Sequence, residues 1–145
     1  MANTCYYEIR AKGEKQGIDA LFSHLNKCGT NESQFYRVWD FIPNDEGIED
    51  MTHGIYQLEG CGNCAWSVTY SFMTHMEHQT EPFIIYLSRH YGLLIEFISE
   101  ECGLAFSEHI IIDKGDVCID ECRDVYYKEY EDGSEDVFGV FELTI

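Results

Sequence analysis

The sequence predicts an α+β protein in which two helices pack on one face of an antiparallel sheet, with extra strands at the C-terminal end. Two observations support this fold class. Hydrophobic spacing alternates between the period of a strand and that of a helix, and the elements follow the order strand, helix, strand, strand, helix, strand, then more strands. At 145 residues the chain has the length of one domain, so residues 1–145 are expected to fold as one unit.

The first strand and first helix follow directly from spacing. Residues 4–12 alternate loosely and carry aromatic side chains, which is typical of a strand, and Gly13 closes it. The next apolar residues recur at the spacing of one helical face: Ile18, Leu21, Phe22 and Leu25. Gly29 lies just beyond this run and is a common stop signal. A helix therefore follows the first strand.

Two further strands are expected before the second helix. Residues 34–42 are dense in aromatic and β-branched side chains and end at Pro43, and a loop extends from there towards Gly54. Trp66, Val68, Tyr70 and Phe72 then alternate with small polar residues. This alternation predicts a strand over residues 66–72, with one core face and one open face.

The second helix and the final strands complete the expected fold. Thr80 is the expected cap of a helix that ends at Gly92. Strands are expected over residues 93–99 and 104–112, followed by a hairpin turn at Asp113-Lys114-Gly115-Asp116 and a return strand from Val117. The acidic run at residues 129–136 indicates a solvated loop, and residues 137–145 suit a last strand.

The charge balance limits the classes of partner. The chain carries 27 acidic and 9 basic residues, a net charge of −18. Nucleic-acid binding through phosphate neutralisation requires clustered Lys and Arg, so the sequence argues against it and favours basic protein partners. Neither an apolar core of signal-peptide length nor a run of about 18 apolar residues occurs, so a cytosolic location without a membrane partner is expected.

Two pairs of cysteines have the spacing of metal ligands. The chain has seven cysteines, an odd number that favours reduced thiols over a disulfide framework in the cytosol. Cys61 and Cys64 flank an expected tight turn at Gly62, and Cys118 and Cys122 follow later, so four thiolates could close a structural zinc shell. His109 is the alternative ligand. Burial of the same cysteines as small apolar residues is the competing interpretation, and a redox pair is less favoured because a strand follows Cys64.

Several segments resemble the YubB-like proteins of phages, plasmids and other mobile elements. The matching stretches are MAN-x-C around Asn3 and Cys5, the segment from Asn63 to Trp66, the run from Leu87 to Glu101, residues 103–109 and the DKGD turn. The resemblance implies a ferredoxin-like fold and a mobile-element origin, but no enzymatic activity. A second resemblance, based on composition and context, is to metal-containing type II anti-CRISPR proteins.

The expected function is non-enzymatic inhibition of a bacterial defence system within the host cytosol. An acidic surface would bind a type II CRISPR effector nuclease and hinder its DNA binding. The residues expected to contact the partner are all acidic and lie in the C-terminal part of the chain: Asp120, Glu121, Asp124, Glu129, Glu131, Asp132, Glu135 and Asp136. Two alternatives stay open: a zinc-stabilised protein-binding module with another role in a phage or plasmid, and a metal-dependent enzyme that uses His109.

Overall fold

The computed structural model describes residues 3–145, so Met1 and Ala2 of the MAN-x-C segment lie outside the described part. This described part is α+β, with a six-stranded antiparallel sheet, three helices and a separate two-stranded ribbon. The elements in chain order are β1 (Thr4–Gly13), α1 (Lys15–Asn26), β2 (Val38–Asp50), β3 (Tyr56–Ala65), α2 (Val68–Phe72), α3 (Phe83–Tyr91), β4 (Leu94–Glu101), β5 (Phe106–Asp113), β6 (Asp116–Asp124), β7 (Tyr126–Glu129) and β8 (Glu135–Phe138). The strand order is β2-β3-β1-β4-β5-β6, and β7 pairs with β8.

Strand β1 lies at the centre of the sheet and organises the core. Its alternate residues are buried on the face that the helices cover, and it pairs with both β3 and β4. Tyr7 is fully buried there, with its ring 5.0 Å from Phe72 and 6.2 Å from Phe97, measured between centroids. The expected first strand and first helix are confirmed, because alternation and helical spacing each place one apolar face towards this core.

The strand expected over residues 66–72 is wrong, because the chain forms helix α2 there. Trp66 turns the backbone with a φ of 64°, and the side chain of Ser67 accepts a hydrogen bond from the Tyr70 amide at 2.9 Å. Val68, Ser71 and Phe72 are then buried at helical spacing. An N-cap and a turn therefore override the period-two pattern.

The second strand also differs from expectation, since β2 begins at Val38 and continues to Asp50. The expected loop after Pro43 is instead the second half of this strand. Proline is tolerated because β2 lies at the edge of the sheet, where a missing N–H donor costs little. Its pairing with β3 shifts register between Trp39 and Ile42 and again between Pro43 and Ile48.

The second expected helix corresponds to α3. Its N-cap is Pro82 rather than the expected Thr80, and it ends at Gly92 as expected, with a left-handed φ of 65°. Strands β4, β5 and β6 confirm the next three expected strands. Lys114 and Gly115 both have positive φ, which is the backbone conformation of a tight hairpin turn.

The C-terminal segment is not one long strand. Strand β8 ends at Phe138, and residues 139–145, named here the tail, cross the sheet face opposite the helices. The acidic run at 129–136 is not a free loop, because it contains the end of β7, a turn and the start of β8. Within residues 3–145, no helix has the length and apolar character needed to cross a membrane.

Candidate functional site

The most distinctive surface is the acidic arm, defined as residues 116–138 and comprising β6 with the β7–β8 ribbon. Acidic side chains dominate it, against the two basic residues Arg123 and Lys128. All eight carboxylates expected to contact a partner lie on this arm and are exposed: Asp120, Glu121, Asp124, Glu129, Glu131, Asp132, Glu135 and Asp136. The structure therefore gathers the predicted acidic residues on one continuous, accessible segment.

Besides the pairing of β6 with β5, three contacts hold the acidic arm against the rest of the protein. Val125 is buried, and its amide donates a hydrogen bond to the carbonyl oxygen of Ala105 at 2.8 Å. The hydroxyl of Tyr127 donates to Glu100 Oε1 at 2.8 Å, and this hydrogen bond is the main reason that the pKa of Tyr127 is raised. The guanidinium of Arg123 stacks 3.5 Å from the ring centre of Phe141. The arm is thus fixed at its base, while its ribbon is solvent-exposed.

The β7–β8 ribbon presents aromatic as well as acidic groups. Tyr126 and Phe138 lie opposite each other across the ribbon and are 64% and 50% exposed. At the turn, Tyr130 donates a hydrogen bond to Asp136 at 2.6 Å. Hydrogen bonds from Ser134 to Asp132 hold the pKa of that carboxyl below its usual range. Asp132 therefore stabilises the turn in addition to adding charge.

The structure does not bring the four predicted metal-ligating cysteines together. Cys61 and Cys64 lie on β3, whereas Cys118 and Cys122 lie on β6, and three strands separate β3 from β6. Neighbouring strands are about 4.8 Å apart, so four steps across the sheet amount to about 19 Å. Two thiolates on one zinc lie within about 4.6 Å of each other, since each Zn–S bond is about 2.3 Å. The described structure therefore does not place the four cysteines around one common point.

Strand geometry also places Cys61 and Cys64 on opposite faces of the sheet, and it does the same for Cys122 and His109. Cys64 belongs to the buried core, while Cys61, three residues earlier on the same strand, points to the opposite sheet face. Cys122 lies opposite Glu108 on β5, and His109 is the next residue, on the other face, so His109 does not complete a set with Cys122. Among the described residues, no group of three or more His, Cys, Asp or Glu side chains has the arrangement of a metal site.

The residues around Glu96 form a buried polar cluster that the sequence analysis missed. Glu96 on β4 is fully buried, and both of its carboxylate oxygens are occupied. Oε1 accepts the amides of Thr144 at 2.7 Å and Ile145 at 3.0 Å, while Oε2 accepts from the Thr144 hydroxyl at 2.6 Å and lies 2.6 Å from His109 Nε2. The available signal was a single glutamate inside the apolar run LLIEFI, because a buried carboxylate requires donors.

The Glu96 cluster and Arg10 fasten the tail across three strands, β5, β4 and β1. Phe141 packs beside His109 with ring centres 5.2 Å apart, and Arg10 on β1 donates to the backbone oxygen of Ile145 at 2.6 Å. Burial alone would raise the pKa of Glu96, but the hydrogen bonds from Thr144, Ile145 and His109 outweigh burial and lower it. Glu96 is therefore a carboxylate held ionised by the donors that the tail supplies.

A second buried carboxylate, Glu108, positions helix α2. Its Oε1 accepts the amide of Val68 at 2.8 Å, and its Oε2 accepts the amide of Thr69 at 3.1 Å and the hydroxyl of the same residue at 2.7 Å. These amides are at the start of α2, where helical N–H groups lack partners within the helix. Ser99 also donates to Glu108 Oε1 at 2.8 Å. Glu108 is thus occupied by a structural role in the core.

In comparisons with known proteins, no protein-family model, no curated protein and no solved structure matches the chain. The observations together define a class of molecule: an acidic α+β protein with a dense set of exposed carboxylates on its C-terminal arm.

Proposed function

We propose that this protein is a non-enzymatic binding protein whose acidic arm occupies a basic, nucleic-acid-binding surface of a partner protein. The exposure of all eight arm carboxylates carries the proposal. Their charges can occupy the positions that phosphates of DNA or RNA would otherwise take. A surface of this charge also attracts a basic partner over a distance and raises the association rate at low salt.

The acidic arm is attached firmly enough to the rest of the protein to compete with nucleic acid for the partner's surface. Val125, Tyr127 and Arg123 fix its base through contacts to Ala105 just before β5, to β4 and to the tail, so its carboxylates do not have to be ordered from a free chain on binding. Preorganisation of this kind reduces the entropy lost on association. The exposed aromatic pair Tyr126 and Phe138 adds groups that bind arginine and lysine side chains through their ring faces.

The partner proposed for a first test is a guide-loaded type II CRISPR effector nuclease, with this chain acting as its inhibitor in a mobile-element setting. Its basic channel for nucleic acid fits the charge of the arm. We also propose a ferredoxin-like core, which the order β2-β3-β1-β4 and the sequence of elements β1-α1-β2-β3-α-β4 support. Strands β5 and β6 and the ribbon would then be additions to that core, and β6 and the ribbon would carry the binding residues.

The test compares two charge-neutralised variants with the same loss of charge. The arm variant replaces five exposed arm residues by their amides: Asp120, Glu121, Asp124, Glu131 and Asp132. The control variant does the same at five exposed acidic residues elsewhere: Glu14, Glu32, Asp45, Glu46 and Glu49. Co-elution with the effector and competition against target DNA are measured at two salt concentrations.

The arm variant is expected to lose binding by at least about tenfold, while the control variant stays close to the unmodified protein. Binding of the unmodified protein should weaken as salt rises, because exposed charges are screened. Equal binding by both variants would refute a role for the arm. Failure of the unmodified protein to bind this effector, combined with arm-dependent binding to another basic nucleic-acid-binding protein, would refute only the choice of partner.

A further inference from the structure

Strand β6 has an unpaired edge that runs along the acidic arm. It lies at the end of the six-stranded sheet, and within residues 3–145 its strand pairing is with β5 alone. All nine of its residues except Ile119 are exposed, and the tail reaches β6 at its end, where Gly139 lies against the backbone oxygen of Asp124 and Phe141 against Arg123. A strand edge of this length offers a row of free backbone donors and acceptors to another extended chain.

The opposite edge of the sheet is protected in ways that β6 is not. Strand β2 contains Pro43, which removes a backbone donor, and its pairing is interrupted by two register shifts. Such features prevent another strand from adding to an edge. In β6 the single irregularity lies between Val117 and Ile119, and the six residues from Ile119 to Asp124 pair with β5 in continuous register. The sheet is therefore open to extension at one edge only.

Charge determines what can add to this edge. A second copy of the chain in antiparallel pairing about Asp120 would place that residue against itself and Asp116 against Asp124. Like charges directly opposite each other across two strands are destabilising. A strand that carries lysine or arginine instead meets a carboxylate at those positions, and Arg123 is the one basic side chain on β6.

We infer that β6 binds an extended, basic segment of the partner protein by antiparallel strand addition. This inference rests on the proposed function and deepens it by naming the element that the partner supplies. Residues opposite one another share a sheet face, so Asp120, Cys122 and Asp124 line the helix side, and Ile119, Glu121 and Arg123 line the side of the tail. The best complement, read opposite residues 124 to 119, is basic, acidic, apolar, basic, basic, apolar.

The probe is the peptide TKEVKKVT, with an acetylated N-terminus and an amidated C-terminus. Its eight residues would lie opposite residues 125 to 118, so that the central KEVKKV is the complement of residues 124 to 119. Two N-methylated forms of the peptide have the same charge, and each is methylated at one set of alternate residues. Only one set has its N–H groups directed at β6, because donors alternate between the two edges of a strand. A scrambled peptide of identical composition controls for register.

Backbone amide exchange of the full chain is measured with each peptide. The parent peptide should protect β6 amides and leave β2 amides unchanged. One N-methylated form should lose affinity by at least tenfold, while the other and the parent bind alike. Equal binding by both N-methylated forms, protection outside β6, or equal binding by the scrambled peptide would overturn strand addition. The proposed function fails separately, if the arm variant described above binds its protein partner as well as the control variant.

Discussion

Replacing Glu96 with glutamine should release the tail from the sheet. In the native protein the carboxylate accepts three hydrogen bonds from Thr144 and Ile145 and contacts His109 at 2.6 Å. A glutamine oxygen can still accept the two backbone amides, but its NH₂ group then faces the Thr144 hydroxyl and the histidine nitrogen. Two hydrogen bonds to a charged acceptor are lost, each worth about 1.5–3 kcal/mol. Because the hydroxyl can rotate and the imidazole can change tautomer, the expected net loss is about 2–4 kcal/mol.

The assay for this prediction is amide hydrogen exchange at Thr144 and Ile145, combined with urea unfolding. A loss of about 2 kcal/mol or more corresponds to exchange faster by more than about tenfold at the two tail amides. The matched control is Glu142→Gln, which makes the same chemical change at an exposed residue of the tail. Native exchange rates at both amides in Glu96→Gln, with Glu142→Gln also unchanged, would refute the role assigned to this carboxylate.

Three further predictions concern the same structure. Acid should detach the tail, because the pKa of Glu96 is lower in the folded state than in the unfolded state. The stabilisation by Glu96 is therefore complete above the unfolded pKa of about 4.3 and is lost as pH falls through the folded pKa. Amide exchange at Thr144, measured as a function of pH, tests this prediction. Phe72→Ala should lower the free energy of unfolding by about 3–5 kcal/mol, measured with urea, because Phe72 is buried against Tyr7 and Phe97. Trp66→Ala should lower it far less, because Trp66 is half-exposed. Equal losses for the two variants would contradict the helical assignment of α2. Cys118→Ser should change stability by no more than about 0.5 kcal/mol, and a chelator should leave the unfolding midpoint unchanged; a large fall on chelation would restore a structural metal.

The elements that could be predicted are those whose local pattern and tertiary role agree. Strand β1 alternates because one face meets the helices, and α3 ends at Gly92 because only a residue without a β-carbon adopts that φ easily. The exposure of the acidic arm also follows from sequence, since unpaired carboxylates are rarely buried. In each case a few neighbouring residues contain the information that decides the structure.

The elements that could not be predicted depend on partners far along the chain. Helix α2 replaces a strand pattern because Glu108, about forty residues later, caps its first amides at 2.8 and 3.1 Å. The segment around Gly62 looks like a turn but is a strand, where glycine is needed because a β-carbon would lie 2.7 Å from the Tyr7 hydroxyl. The separation of the four cysteines has the same origin: spacing along the chain does not specify the order of strands in a sheet.

The distribution of charge also explains how so acidic a chain can form a stable core. The three buried carboxylates Glu96, Glu101 and Glu108 have their oxygens occupied by donors, so they act as structural acceptors within the fold. The arm carboxylates are exposed and, apart from Asp132 at its turn and Asp136 beside Tyr130, can be neutralised without removing a side-chain hydrogen bond from the described structure. Removing repulsion among them should leave the fold intact or more stable. Folding therefore does not require the acidic residues on β6 and the ribbon, which leaves them available for the binding role proposed above.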